Sequence, residues 1–295
     1  MRFRHAVAVS AVALVAIPAC LAGEVIDRVD RTFSVKDRPT IYVRNSDGRT
    51  TLKATQSSEV RVTAVKEVIN TSNMEEARQF ASRVEIRIEQ VGSRIEAEAR
   101  FPKMSGFWNH GPSVVVHFDV SGPAASDLEV HTSDGALEAD GFNGRLDLST
   151  SDGRLTATNC SGRNKAHVSD GDMKILGAQG ELDAHTSDGR MAIDGVFKGL
   201  DVKSSDGNVE ITVRPGSVME RPWSVSTSDG SVQIRLPEGF SADMDISTSD
   251  GSIRMDHPIT MMGGMTSKNH VTGKLNNGGA PFRVHTSDGS VHITK

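Results

Sequence analysis

The sequence predicts an all-β fold: a β-solenoid, single-stranded and β-helix-like, with coils of about 18 residues closed by Ser-Asp-Gly turns and with a short N-terminal helix and hairpin added. Three observations carry this. The first is a turn that returns at a fixed interval. Its serines are Ser133, Ser151, Ser169, Ser187 and Ser205, each 18 residues after the last; looser copies follow at Ser228, Ser249 and Ser287, with an outlier at Ser46. The second is a set of apolar columns before each turn. Five residues ahead of the serine stand Leu128, Leu146, Leu182, Leu200, Trp223, Met244 and Phe282, with Asn164 as the exception. Three ahead stand Val130, Leu148, Ala166, Ala184, Val202, Val225, Ile246 and Val284, with polar residues between the two sets. Alternation of this kind marks a strand with one buried face. The third is its resumption after each turn. Leu137, Leu155, Met173, Met191, Val209, Val232, Ile253 and Val291 are followed two residues on by Ala139, Ala157, Ile175, Ile193, Ile211, Ile234, Met255 and Ile293.

A repeat is therefore strand, Asp-Gly turn, strand, and a second glycine-bearing turn such as Gly141-Phe142-Asn143-Gly144. The turn pairs are Asp134-Gly135, Asp152-Gly153, Asp170-Gly171, Asp188-Gly189, Asp206-Gly207, Asp229-Gly230, Asp250-Gly251 and Asp288-Gly289. Asp-Gly suits a tight turn because Gly accepts positive φ and Asp bonds nearby amides. A meander of hairpins fits the alternation too, but it leaves one sheet face uncovered or needs a second sheet. A coil stacks like on like, and so explains why each column keeps one chemistry.

Taken in order, residues 1–22 read as a secretion signal. Arg2 and Arg4 give a basic start, and the apolar run Ala6 to Ala19 is too short to span a membrane. Two cleavage readings stand. Ile17-Pro18-Ala19-Cys20 resembles a lipobox, in which Cys20 becomes the lipidated first residue; cleavage after Ala22 or Gly23 releases a soluble protein instead. Either way export is expected, to the periplasm, the outer membrane surface or the medium. No membrane span is expected in the mature chain, and membrane contact arises only if Cys20 is lipidated.

Residues 23–125 form an N-terminal β-rich part. Ile41, Val43 and Leu52 around Ser46-Asp47-Gly48 repeat the coil grammar once, and Val60, Val62 and Ala64 continue as a strand. A helix is expected over about 71–83, because Ser72 and Glu75 make a capping box and Met74, Ala77, Phe80 and Ala81 share one face. Residues 84–101 read as a hairpin turning near Gly92-Ser93, residues 103–112 as a loop, and Ser113 to Val120 as a strand. The helix and hairpin are natural caps for a solenoid end, which otherwise exposes an open sheet edge. Residues 126–295 are the regular coils, with a loop insertion at 259–281 where the spacing stretches.

Composition narrows the function classes. Without Arg2 and Arg4 the chain has 31 basic and 38 acidic residues, a net charge of −7. A mildly acidic chain with no basic cluster argues against nucleic acid and against anionic membrane surfaces. Aromatics are only 4%, and Tyr42, Trp108 and Trp223 are the few large rings available as a carbohydrate platform. With only Cys20 and Cys160, the chain must be held by its core, and Cys160 reads as a buried corner residue beside Phe142, Ala178 and Val196.

Three polar columns could carry chemistry. Stacked coils set the turn aspartates about 4.8 Å apart. A cation could relieve their repulsion, or each Asp could bond its own turn amides and the adjacent hydroxyls, which is the simpler reading. A histidine column (His131, His167, His185 and His285, interrupted by Ser149 and Lys203) puts two imidazoles in neighbouring coils with no third ligand implied. A threonine column, Thr132, Thr150, Thr186, Thr227, Thr248 and Thr286, closes the strand ends as a hydroxyl ladder. No metal site, cofactor or catalytic residue is assigned. A polysaccharide-acting β-helix enzyme needs acids that break the repeat and converge in a groove, whereas these keep the repeat's positions.

The stretches LEVHTSDGALEADGFNGRLDLSTSDGRLTAT, VSTSDGSVQIRLPEGFSADMDISTSDGSI and KLNNGGAPFRVHTSDGSVHI resemble the bacterial putative-adhesin domain family. FSVKDRPTIYVRNSDGRTTLKAT fits it as well, so the resemblance spans nearly all of the mature chain. It implies an extracytoplasmic β-solenoid, similar to the head domains of some autotransporter adhesins, and transfers no catalytic residues. The expected function is a non-catalytic cell-envelope binding scaffold whose flat faces meet an envelope protein or a glycan. A purely structural envelope module is the alternative.

Overall fold

The structure, a computed structural model, describes residues 23–69, 73–102, 113–261 and 267–295. The predicted leader with Cys20, and also Ser72, Trp108 and the 103–112 loop apart from its surroundings, lie outside the described residues.

The chain opens with β1 (Gly23–Ser34), β2 (Thr40–Arg44), β3 (Thr50–Thr55) and β4 (Glu59–Ile69), then the helix α1 (Met74–Ala81). The hairpin β5 (Glu85–Val91) and β6 (Arg94–Arg100) and the strand β7 (Ser113–Pro123) follow. The regular region runs through β8 (Asp127–Asp134), β9 (Leu137–Asp140), β10 (Asn143–Asp152), β11 (Leu155–Thr158), β12 (Ser161–Asp170), β13 (Met173–Asp188), β14 (Met191–Asp206) and β15 (Val209–Val213). It ends with β16 (Trp223–Asp229), β17 (Val232–Arg235), β18 (Ala242–Thr248), β19 (Ile253–Met255), β20 (Ile259–Met261), β21 (His270–Leu275), β22 (Pro281–Asp288) and β23 (Val291–Thr294).

These strands form one 23-stranded sheet, largely parallel and in register. Leu146 lies opposite Leu128, and Leu148 opposite Val130. Ile175 lies opposite Ala157, and Leu182 opposite both Asn164 and Leu200. The result is a nearly closed, β-solenoid-like body with two walls. One wall runs β5–β6–β2–β8–β10–β12, on through the second halves of β13 and β14, to β16–β22–β18–β21–β20. We call it the first wall. The second runs β1–β4–β7–β3–β9–β11, through the first halves of β13 and β14, to β15–β17–β23–β19.

A single core fills the space between the walls. Side chains alternate inward and outward along the strands: in β16, Trp223, Val225 and Thr227 are buried while Ser224 and Ser226 are half-buried. The largest buried groups are Trp223, Phe118, Phe142, Phe197 and Phe282. Full burial of each is worth about 1.5–3 kcal/mol. Trp223 is the hub of the C-terminal half: its ring centroid is 5.5 Å from Phe282, 5.3 Å from Phe240 and 6.3 Å from Phe197.

The coils do not stack in chain order at either end. At the C-terminal end, β22 lies between β16 and β18, and β23 between β17 and β19. The chain passes over one place, lays β18 and β19 on the outside, and returns to fill the place with its last repeat. At the N-terminal end, β2 lies between β6 and β8, so the later β6 is outermost. The N-terminal strands are thus built into the same walls as the regular repeats.

Antiparallel strands terminate three of the four wall ends: β4 with β1, β5, and β21 with β20. The fourth ends on the three-residue β19, and a short edge offers little template for further pairing. The 259–281 insertion therefore contains the strands β20 and β21 where a plain loop was expected. Leu275 and Gly273 are buried, and β21 pairs antiparallel with β18 because the outermost β18 would otherwise present free backbone groups.

The helix begins one residue later than the capping box predicts. Asn73, not Ser72, is the N-cap: its side chain accepts the Glu76 N–H at 3.2 Å, and its amide reaches the Glu76 carboxylate. The Asx-to-Glu spacing is the same as the predicted Ser-to-Glu one, moved along by one. Ala77, Phe80 and Ala81 are buried against β4 and β7. Buried Lys66 of β4 donates to the Ala81 and Val84 carbonyl oxygens at 3.0 and 2.8 Å, satisfying orphan acceptors just past the helix end.

Candidate functional site

The Ser-Asp-Gly turns line one corner of the body as a ladder. Asp134 stands opposite Asp152 and bridges to Asp47; Asp170, Asp188, Asp206, Asp229 and Asp288 continue in register. The Asp250 N–H donates to the Ser287 carbonyl at 2.8 Å, placing the 249–251 turn on the outer side of the last one. Glycine is required because successive turns touch backbone to backbone. A Cβ on Gly153 would overlap the Gly135 carbonyl oxygen, and Gly171, Gly189, Gly207, Gly230, Gly289 and Gly251 each meet the next inner glycine in the same way.

The buried threonines tie the corner together through backbone carbonyls rather than through one another. Thr150 Oγ1 donates to the Ser133 carbonyl at 3.1 Å, and Thr248 Oγ1 to the Gly289 carbonyl at 2.9 Å. Among the aspartates, Asp134 is held above its ordinary carboxyl value, first by burial and then by the neighbouring Asp47 carboxylate. Among the described residues, no group of three or more His, Cys, Asp or Glu side chains is placed to hold a metal ion.

The predicted histidine column is dispersed among separate partners. His167 does stand opposite His185, but His185 pairs with Asp183 at 3.1 Å. His131 meets Ser149 Oγ at 2.6 Å and Glu129 at 3.6 Å, and His285 meets Ser247 Oγ at 3.0 Å.

Cys160 is buried at the opposite corner, and burial pushes its thiol up, away from thiolate chemistry. The corner column changes after Ala178. Gly195 replaces Val196 as the partner of Ala178, and Phe197 fills the interior. A Cβ on Gly195 would stand 2.8 Å from Phe197 Cζ, so the bare glycine makes room for the ring. Trp223 likewise turns into the core, 1% exposed, and offers no platform. Its place in the Leu128 column already carries that meaning.

What the geometry presents outward is the first wall. Across it runs a row of polar side chains linked sideways: Arg94 to Glu96 at 3.0 Å and to Glu129 at 2.8 Å, Lys165 to Asp147 at 3.6 Å, Lys203 to Asp201 at 3.5 Å, and His270 to Asp245 at 3.0 Å. The Arg94 guanidinium also lies 4.5 Å from the centre of the Tyr42 ring, whose edge meets His131. Exposed pairs add about 0–1 kcal/mol each. Their consequence is arrangement: charges of opposite sign stand side by side along the wall, forming a charged plate.

Sequence reading missed two features. Arg94 is 35 residues from Glu129, and only the placing of β6 beside β2 and β8 brings them together. A cleft of about 560 Å³ also opens where β15, β17, β19 and β23 end. Its signal was present in Pro215, Pro237 and Pro258, each two or three residues after a strand of the second wall.

No helix among the described residues is long and apolar enough to cross a membrane. No curated protein matches the chain. Several solved structures are similar to it, among them these three. A putative adhesin from Bacteroides fragilis shares 8% identity at a TM-score of 0.44, covering 91% of this chain and 96% of that one. A putative lipid binding protein from Parabacteroides distasonis shares 10% at 0.44, covering 91% and 97%. A putative adhesin from Parabacteroides merdae shares 13% at 0.36, covering 91% and 97%. At that distance they carry no inference about activity. The family whose model spans residues 33–294 does identify the fold, and this chain belongs to it: Toastrack DUF4097.

Proposed function

We propose that this protein is a non-catalytic, exported scaffold of the cell envelope that binds an envelope protein or a glycan through its first wall. The observation that carries the reading is the charged plate running from Arg94 and Glu129 past Lys165 and Asp183 to Lys203. A flat face carrying charges of both signs at repeated positions favours a polar contact with a partner of complementary charge. Export is supported by the basic start and the apolar run of residues 1–22, with either a lipidated Cys20 or a soluble mature chain as the product. The Asp-Gly turns, from Asp134-Gly135 to Asp288-Gly289, set the spacing of the plate and are structural in this reading.

The test is saturable binding of the chain starting at residue 23 to isolated envelope fractions, with protein-rich and glycan-rich fractions compared. The variant Glu129→Ala, Lys165→Ala, Asp183→Ala should lose most of the binding while remaining folded at the assay temperature, as a cooperative melt well above it shows. Equal binding by the variant would reject the first wall as the contact. Absence of saturable binding to any fraction would leave a purely structural module.

A further inference from the structure

The cleft beyond the second wall lies away from the charged plate and makes a separate site. After β15, β17 and β19 the chain leaves the wall at Arg214-Pro215, Leu236-Pro237 and His257-Pro258. Proline has no N–H with which to continue a ladder, so strand pairing stops at these three corners. Elsewhere on this corner the interior is filled by Phe142, Cys160 and Phe197. Here Pro215, Pro237 and Pro258 form an apolar floor in front of the buried Val213 and Leu236.

The charges at the rim are unequal. Arg214 is held by Asp194 through two contacts, one of them 3.0 Å. Arg235 and Lys295 are exposed and their side chains have no ion-pair partner among the described residues; Glu238 is the one carboxylate side chain in the lining. His257 Nε2 is engaged, donating to the Thr294 carbonyl at 3.0 Å. Two free cations above an apolar floor fit a ligand with one anionic end and one apolar end. The volume is within the range of small-molecule sites, which are typically about 300–1,000 Å³ and mostly apolar with a few polar groups.

We infer that this cleft binds a small amphiphilic carboxylate, with its carboxylate at Arg235 and Lys295 and its apolar tail over Pro215, Pro237 and Pro258. Arg235 supplies a planar fork suited to a carboxylate, and Lys295 a second, mobile charge. This site is independent of the wall contact, and either can fail without the other.

Titration calorimetry of the chain starting at residue 23 with decanoate, decyltrimethylammonium and acetate tests it. Decanoate should bind at one saturable site; acetate and decyltrimethylammonium should not. Arg235→Ala and Lys295→Ala should each weaken decanoate about tenfold, the loss expected of one charge-assisted bond. Gln233→Ala, on the same strand but outside the cleft, should leave it unchanged. The inference is overturned if decanoate shows no saturable site, if either control ligand binds as tightly, or if the double variant Arg235→Ala, Lys295→Ala binds like the parent. Both arginine and lysine are exposed, so a folding failure is not expected, and matched melting curves confirm that the variants are intact.

Discussion

A Cβ on Gly251 would overlap the carbonyl oxygen of Gly289, and one on Gly289 would overlap that of Gly230. The turn at 249–251 therefore rests on the turn at 287–289, which rests on the turn at 228–230. The last Ser-Asp-Gly of the sequence is the second from the end of the stack, and the contact that shows it involves nothing but backbone.

The same contact makes an inner turn glycine intolerant of any side chain. Gly153 faces the Gly135 carbonyl oxygen, and backbone cannot move aside as a flexible side chain can. Gly153→Ala should cost about 3 kcal/mol or more. Gly92→Ala, in the open hairpin turn with nothing within 4 Å, carries only the strain of its positive φ, about 1–2 kcal/mol. Urea midpoints of the two variants measure the difference.

Asn164 interrupts the column of Leu128, Leu146, Leu182 and Leu200. It is 7% exposed, faces Leu146 and Leu182, and its Oδ1 has no hydrogen-bond partner among the described residues. A buried acceptor left unpaired costs about 1–3 kcal/mol. Asn164→Leu should therefore raise stability by about 1–2 kcal/mol, read as a higher melting temperature.

Two carboxyl groups should respond to acid in opposite directions. Asp134 is raised above the ordinary 3.8, first by burial and then by Asp47. Its protonated form favours the fold, so its contribution is present below the unfolded value and is lost as pH rises through the folded one. Asp134→Asn should melt above the parent at about pH 7, with the gain closing as pH falls towards about 4. Glu129 is lowered from 4.5, first by its hydrogen bond from Arg94. Its contribution is present above the unfolded value and is lost as pH falls through the depressed one. Glu129→Gln should melt below the parent at neutral pH and like it in strong acid.

The final repeat should behave as an interior element. Strands near a chain end ordinarily fray, but β22 is paired on both sides. Its amides from Phe282 to Thr286 should exchange with solvent as slowly as those of β10, and more slowly than those of β20 and β21 at the wall's end. Hydrogen exchange read by mass spectrometry or NMR reports this directly.

The interior was legible in the sequence wherever burial writes a period. Leu128, Leu146, Val130 and Leu148 announce their columns by alternation alone, and the sheet register sets them opposite one another. Trp223 and Phe282 lie in the same column, and both are core. The order of the terminal coils was not legible. Thr248-Ser249-Asp250-Gly251 and Thr286-Ser287-Asp288-Gly289 carry identical turn chemistry, so no local residue says which lies outside. The pairing of β22 with both β16 and β18 reveals it. The charged plate and the cleft escaped for the same reason. Arg94 with Glu129, and Arg235 with Lys295, are far apart along the chain, and surface charges carry no period.

Strand order is the claim on which the corner ladder, the cleft and the terminal wedge all depend, and paired cysteines test it. Ser226 and His285 are direct partners across β16 and β22, and Ser247 and His285 across β22 and β18. Ser226 and Ser247 are two strands apart, about 10 Å, beyond the roughly 7 Å limit for a disulfide. With Cys160→Ala as background, mild oxidation should link Ser226→Cys to His285→Cys and leave Ser226→Cys with Ser247→Cys open. A disulfide between positions 226 and 247, with none between 226 and 285, would mean that the repeats stack in sequence order and would contradict the structure.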